Sequence, residues 1–136
     1  MNGKPPESEE DLVGGLRITL PWPDNALWPN ARPHWAEKMR AKQSYGGTAY
    51  TLAVDARNLA GWIAPGRATL HIQAIKHGRG VLPDSDNLLA ALKCAIDSLR
   101  AAEVIYNDDP AHLVIGGINV ERGPVSEVKL TVRETR

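Results

Sequence analysis

The chain has 136 residues, with 16 Lys and Arg balancing 16 Asp and Glu to a formal net charge of zero. This length fits one domain, and 43% apolar with 24% charged residues excludes a disordered or membrane-embedded class. Neutrality speaks against a nucleic-acid partner only until the charges are located along the chain.

Residues 1–29 are net −3, and residues 30–82 set Arg32, Lys38, Arg40, Lys42, Arg57, Arg67, Lys76 and Arg79 against only Glu37 and Asp55. Residues 83–112 reverse the sign, with Asp84, Asp86, Asp97, Glu103, Asp108 and Asp109 against Lys93 and Arg100. A basic half and an acidic centre therefore lie behind the neutral total. Cys94 is the only cysteine, so an internal disulfide and a Cys-based zinc site are excluded, and a reducing, cytoplasmic setting is expected. The N-terminus lacks a basic segment followed by an apolar one, so no secretory signal is expected. No apolar run approaches the ~18 residues of a membrane span, and no membrane partner is expected. With four Trp, three Tyr and no Phe, the core rests on Leu, Ile, Val and Ala, a modest core that favours burial by dimerisation.

In chain order, residues 1–14 are polar and rich in Pro, Gly and Glu, which predicts a disordered tail before a domain at 15–136. Leu16-Arg17-Ile18-Thr19-Leu20 alternates and stops at Pro21-Trp22-Pro23, a strand ended by proline. Asp24 to Pro33 holds turn formers. From about His34 to Trp62 the spacing is helical, with Gly46-Gly47 weakening its middle. Ala68 to Ile75 alternates as a second strand, and Lys76 to Pro83 is a Gly-containing loop. Asp84 to Ala102 places Leu88, Leu92, Ala95, Leu99 and Ala102 on one helical face, with Asp86 or Ser85 as N-cap. After a loop to Ala111, strands are expected at about 112–120 and 126–133, joined by Arg122-Gly123-Pro124. The order, roughly βαβαββ, predicts a single small α/β domain whose mixed sheet is packed by helices.

The acidic centre carries the chemistry. Pro83-Asp84-Ser85-Asp86-Asn87-Leu88 opens a helix bearing Lys93 and Asp97, and Asn107-Asp108-Asp109-Pro110 follows it. Converging carboxylates repel unless a cation neutralises them, and an all-oxygen set points to Mg²⁺ or Mn²⁺. Such ions suit phosphodiester cleavage. On a continuous helix Asp86, Ala90, Lys93 and Asp97 share a face, with the lysine leaning toward the carboxylates. The same spacings describe an N-cap, a solvated i,i+4 pair and a turn. The His residues at 34, 71, 77 and 112 are scattered and form no recognisable ligand pair or triad. Trp28 and Trp35 flank a loop and read as packing residues or as platforms for unpaired bases.

The string Asp84-Ser85-Asp86-Asn87-Leu88, then Lys93, Asp97-Ser98-Leu99 and Asp108-Asp109, resembles the core signature of the RusA family of Holliday junction resolvases. There the order is D-x-D-N, a lysine on the ensuing helix, a D-[AS]-L step and a D-D pair. Ile18-Thr19-Leu20-Pro21-Trp22-Pro23 is similar to the family's opening strand and proline turn, so the resemblance covers about residues 16–133. It implies a RusA-like fold and a homodimeric, Mg²⁺-dependent endonuclease, often phage- or prophage-borne. Such enzymes resolve four-way DNA by paired phosphodiester hydrolysis in recombination and repair. By position, Asp84, Asp86 and Asp109 would hold the metal, with Mn²⁺ as a substitute and Lys93 as the catalytic lysine. Two departures stand out. Ala90 occupies the lysine's usual place, four residues after the second Asp, and Lys93 comes three later but keeps its spacing to Asp97. Lys76-His77-Gly78-Arg79 replaces a denser arginine run. Arg32, Lys38, Arg40, Lys42, Lys76 and Arg79 are the candidate DNA-phosphate contacts. The alternatives from the same residues are a non-catalytic DNA-binding or metal-binding dimer, and a nuclease acting on flaps or other branched DNA.

Overall fold

Leu16, Ile18 and Leu20 of the first strand are buried while Arg17, Thr19 and Pro21 are exposed, the period of two that a strand with one covered face requires. The computed structural model describes residues 15–135. In it β1 (Leu16–Pro21), α1 (Trp35–Ala60), β2 (Ala68–Lys76), α2 (Ser85–Ala91), α3 (Lys93–Ala101), β3 (Leu113–Arg122) and β4 (Glu127–Glu134) follow in that order. The expected tail at 1–14 lies outside the described residues.

The four strands form one mixed sheet in the order β1-β4-β2-β3. β4 runs antiparallel to both β1 and β2, while β2 and β3 are parallel, with Ala68 opposite Leu113 and Lys76 opposite Arg122. A parallel pair needs a long crossover, and α2 with α3 supplies it. Ala68, Leu70, Ile72 and Ala74 of β2 and Val128, Leu130 and Val132 of β4 join the buried side chains of β1 to form the covered face. Ala49 and Ala53 of α1, Leu88 of α2, Leu92, and Leu99 of α3 complete the core. Each large aliphatic side chain buried there contributes ~1.5–3 kcal/mol of transfer free energy.

Gly46-Gly47 does not interrupt α1. A Cβ at Gly46 would lie 3.3 Å from Ser98 Oγ and 3.6 Å from the Cys94 carbonyl, so the bare backbone lets α3 pack close. The Ser98 hydroxyl bridges the two helices, its one proton placed to be shared between the carbonyls of Gly46 (2.8 Å) and Cys94 (2.9 Å). The far end of α1 is tied to the segment after α3. Arg57 Nη1 donates to the Ala102 carbonyl (2.8 Å) and Trp62 Nε1 to the Val104 carbonyl (2.9 Å).

The helix expected over 84–102 is two helices. Leu92, at φ −92° and ψ 0°, leaves helical geometry, and its N–H is shared between the carbonyls of Leu88 (3.0 Å) and Leu89 (3.2 Å). The N-cap is Asp84 rather than Ser85 or Asp86. Its Oδ1 accepts from the Asn87 N–H at 2.8 Å, which satisfies a donor with no partner inside the helix.

Tyr45 fixes the segment that leaves β1. Its hydroxyl, reached from the buried side of α1, donates to the Pro21 carbonyl at 2.6 Å, and burial pushes the phenol well above its usual pKa. Tyr45→Phe removes only this bond, so a loss of about 1 kcal/mol in urea unfolding, with unchanged slope, is the expected result.

Candidate functional site

The segment after β1 builds the first wall of the site. Asp24 caps a short 3-10 turn at Asn25–Leu27, its Oδ1 accepting from the Ala26 N–H at 2.9 Å. That turn brings Trp28 back over Trp22, with ring centroids 5.6 Å apart and planes at 25°. Trp28 Nε1 donates to the Pro23 carbonyl (3.3 Å), and Lys76 Nζ, at the end of β2, stands 5.2 Å from the Trp22 ring centroid. The two indoles and Lys76 line a cavity of about 610 Å³ whose other wall includes Leu82, Pro83, Asp84 and Asn87.

The opposite side of the same segment faces lysines. Leu27 and Pro29 line a cavity of about 320 Å³ with Lys38 and Lys42 of α1 and with Lys93, Cys94 and Asp97 of α3. Pro29 is common to both cavities. Burial pushes the Cys94 thiol above its ordinary pKa, keeping it protonated and a poor nucleophile. Lys93, Asp97 and Asp108 meet at a third cavity, of about 190 Å³, with Leu89, Ile96 and Ile115.

The acidic residues of the sequence motif are thus divided. Lys93 Nζ pairs with Asp97 Oδ1 at 3.4 Å, the lysine exposed and the aspartate half-buried. The lysine's ion-pair partner is the carboxylate one helical turn ahead on α3. Asp86 is exposed in the first turn of α2. Asp84 shares its cavity with Lys76, at the end of β2, whereas Asp109 precedes Leu113, which pairs with the start of β2. The nine residues of β2 separate those ends by roughly 26 Å at ~3.3 Å per residue.

Asp109 is heavily bonded. Its Oδ1 accepts from the N–H groups of Ala111 (2.9 Å) and His112 (3.1 Å) and lies 2.7 Å from His112 Nδ1, while Oδ2 accepts from Asn107 Nδ2 at 2.7 Å. Among the described residues, no group of three His, Cys, Asp or Glu side chains is placed to hold a metal ion. As placed in one chain, Asp84, Asp86 and Asp109 do not fit a single shared ion.

The hydrogen bond from His112, followed by its charge and the two backbone donors, lowers the Asp109 carboxyl pKa below its ordinary 3.8. A depressed pKa means the stabilisation is complete above the unfolded value and disappears as pH falls through the folded one. Acid titration followed by NMR should therefore show Asp109 titrating with a midpoint below its ordinary 3.8, and the 107–112 turn should loosen as the pH falls through that midpoint.

The remaining basic candidates are spread out. Arg32, Arg40 and Arg79 are exposed, and none lines the cavities above. Two residues escaped sequence reasoning. Trp22 reads only as part of a proline-ended strand, and Arg122 as a turn residue. Arg122 Nη1 donates to the Gly78 carbonyl (2.8 Å) and Nη2 to that of Gly80, which braces the loop before Asp84. Both glycines have positive φ, 94° and 108°, and their pairing with a basic strand end is the signal that marks such a braced loop. Trp35, by contrast, is 73% exposed at the start of α1, so core packing does not explain it.

No family model matches this chain. A protein of Xylella fastidiosa (strain Temecula1 / ATCC 700964), described as an uncharacterized protein, is 38% identical over 90 residues, covering 62% of this chain and 56% of that relative. The chain thus spans little more than half the length of that relative. Among the described residues, no helix is long and apolar enough to cross a membrane.

Proposed function

We propose that this chain is a RusA-type, Mg²⁺-dependent endonuclease that works as a homodimer and cuts four-way DNA junctions by paired phosphodiester hydrolysis, in recombination and repair. The observation that carries this reading is the ordered set Asp84-Ser85-Asp86-Asn87, Lys93, Asp97 and Asp108-Asp109, of which Lys93, Asp97 and Asp108 line one cavity. The metal, Mg²⁺ or Mn²⁺, enters through the resemblance to that family, and no hydrolytic step is assigned to it from the positions of the aspartates in one chain. What the chain's own residues supply is phosphate binding. Lys38, Lys42 and Lys93 surround a single cavity, where they would make salt-sensitive and sequence-blind contacts.

A second reading, a non-catalytic dimer that binds branched DNA, is favoured by one specific observation. Asp84 and Asp109 already serve backbone amides, as helix cap and turn anchor. Gel-shift and cleavage measurements on a four-way junction, a flap and a linear duplex of the same sequence separate the readings. The nuclease reading expects the junction to be both bound and cut. A junction bound but never cut in Mg²⁺ or Mn²⁺ assigns the protein to the second reading, and preferential cutting of the flap moves the substrate.

A further inference from the structure

We propose that the cavity between the Trp22–Trp28 pair and the Asp84–Asn87 wall receives one unpaired nucleobase of a DNA strand, an inference that rests on the DNA reading above. Three observations carry it. The cavity, about 610 Å³, falls within the size range of small-molecule sites, ~300–1,000 Å³. Its wall holds two half-buried indoles, and since Trp22 already carries Trp28 and Lys76 against its ring, Trp28 is the stacking surface for a base. Asn25, Asn30 and Asn87 line it too, residues whose amides can both donate to and accept from the edge of a base.

Charge decides between a base and a phosphate. Among the described residues, Lys76 and Asp84 are the charged residues lining this cavity, and they cancel. Across Pro29, the neighbouring cavity sets Lys38, Lys42 and Lys93 against Asp97 among the described residues. A neutral base suits the first and the anionic backbone the second. A strand crossing the Pro29 rim satisfies both. The Lys76 ammonium, over the Trp22 ring, adds a donor for a base carbonyl.

The test uses the full chain in low salt with EDTA and a duplex carrying one extrahelical thymine. The same duplex with an abasic residue at that position, and the fully paired duplex, are the comparators. The wild type should bind the base-bearing bulge about tenfold more tightly than the abasic one and show quenched indole fluorescence only with the former. In Trp28→Ala that preference should fall to within about twofold while affinity for paired duplex is kept. Lys76→Met, at a half-buried strand end where the apolar stem is kept, should weaken the preference without abolishing it. Equal wild-type affinity for base and abasic bulges, quenching by both, or no binding to any of the three overturns the proposal. Thymidine monophosphate that quenches as strongly as the bulge, at equal concentration, does so as well, since the site would then serve free nucleotides. Junction cleavage without base preference removes the pocket and leaves the nuclease, whereas base-dependent binding without cleavage leaves the pocket and removes the nuclease.

Discussion

Gly116→Val is expected to lower stability by about 3 kcal/mol and the melting temperature by roughly 10 °C. The parallel pairing of β2 with β3 shifts register between Leu70 and His71, so that Gly116 is the extra residue of a bulge between Ile115 and Gly117. A Cβ built there lies 2.5 Å from Thr69 Cγ2 and 2.9 Å from His71 Cε1. Neither neighbour yields easily. Thr69 is β-branched and its hydroxyl is bonded to that of Thr135 at 2.6 Å, and His71 sits in the strand beside it. The side chain must either push β3 away from β2 or abolish the bulge, and removing a bulge flips the faces of the residues beyond it. Gly47→Ala is the control. Nothing lies within 4 Å of a Cβ at that exposed position inside α1, so the change should stabilise by up to ~1 kcal/mol. Thermal unfolding of the two variants beside the wild type checks both signs at once.

Asp86→Asn is expected to reduce junction cleavage by at least about a hundredfold, with thermal stability within ~0.5 kcal/mol of the wild type. Asp86 is exposed on the first turn of α2, and the cap of that helix is Asp84, so an amide of the same shape leaves local structure in place. Only the charge is lost. An anionic side chain at a helix start is worth a few tenths of a kcal/mol to the helix, far less than the ~2.7 kcal/mol that a hundredfold rate corresponds to. Asp84→Asn is less diagnostic, because it disturbs the bond to the Asn87 N–H as well. Equal cleavage rates for Asp86→Asn and the wild type would separate the D-x-D motif from any chemistry and reduce it to helix capping.

The strands were legible because one covered face imposes alternation. Leu16, Ile18 and Leu20, and then Ala68, Leu70, Ile72 and Ala74, are apolar where the sheet is buried. The break at Leu92 was not legible, since Leu88, Leu92, Ala95 and Leu99 keep the spacing of a straight helix whether or not one ψ rotates to 0°. Gly46-Gly47 misleads in the opposite sense. Glycine propensity weakens an isolated helix, whereas the close approach of α3 rewards the missing Cβ.

The acidic motif shows the same division. Its residues are visible in the sequence, but whether Asp84, Asp86 and Asp109 meet depends on the loops at either end of β2, which no spacing rule describes. The basic half was visible in the charge count, and the structure selects Lys38 and Lys42 from it by facing them with Lys93. Trp22 gave no signal of its own, because stacking on Trp28 depends on the turn at Asn25–Leu27.

The most direct measurement is a time course of incision on a synthetic four-way junction by the full chain, in Mg²⁺ and in EDTA, resolved at each strand. Paired nicks in opposing strands that appear with Mg²⁺ and vanish with EDTA are the predicted result. A junction that stays intact in Mg²⁺ and Mn²⁺ at every salt concentration where it is bound would contradict the account.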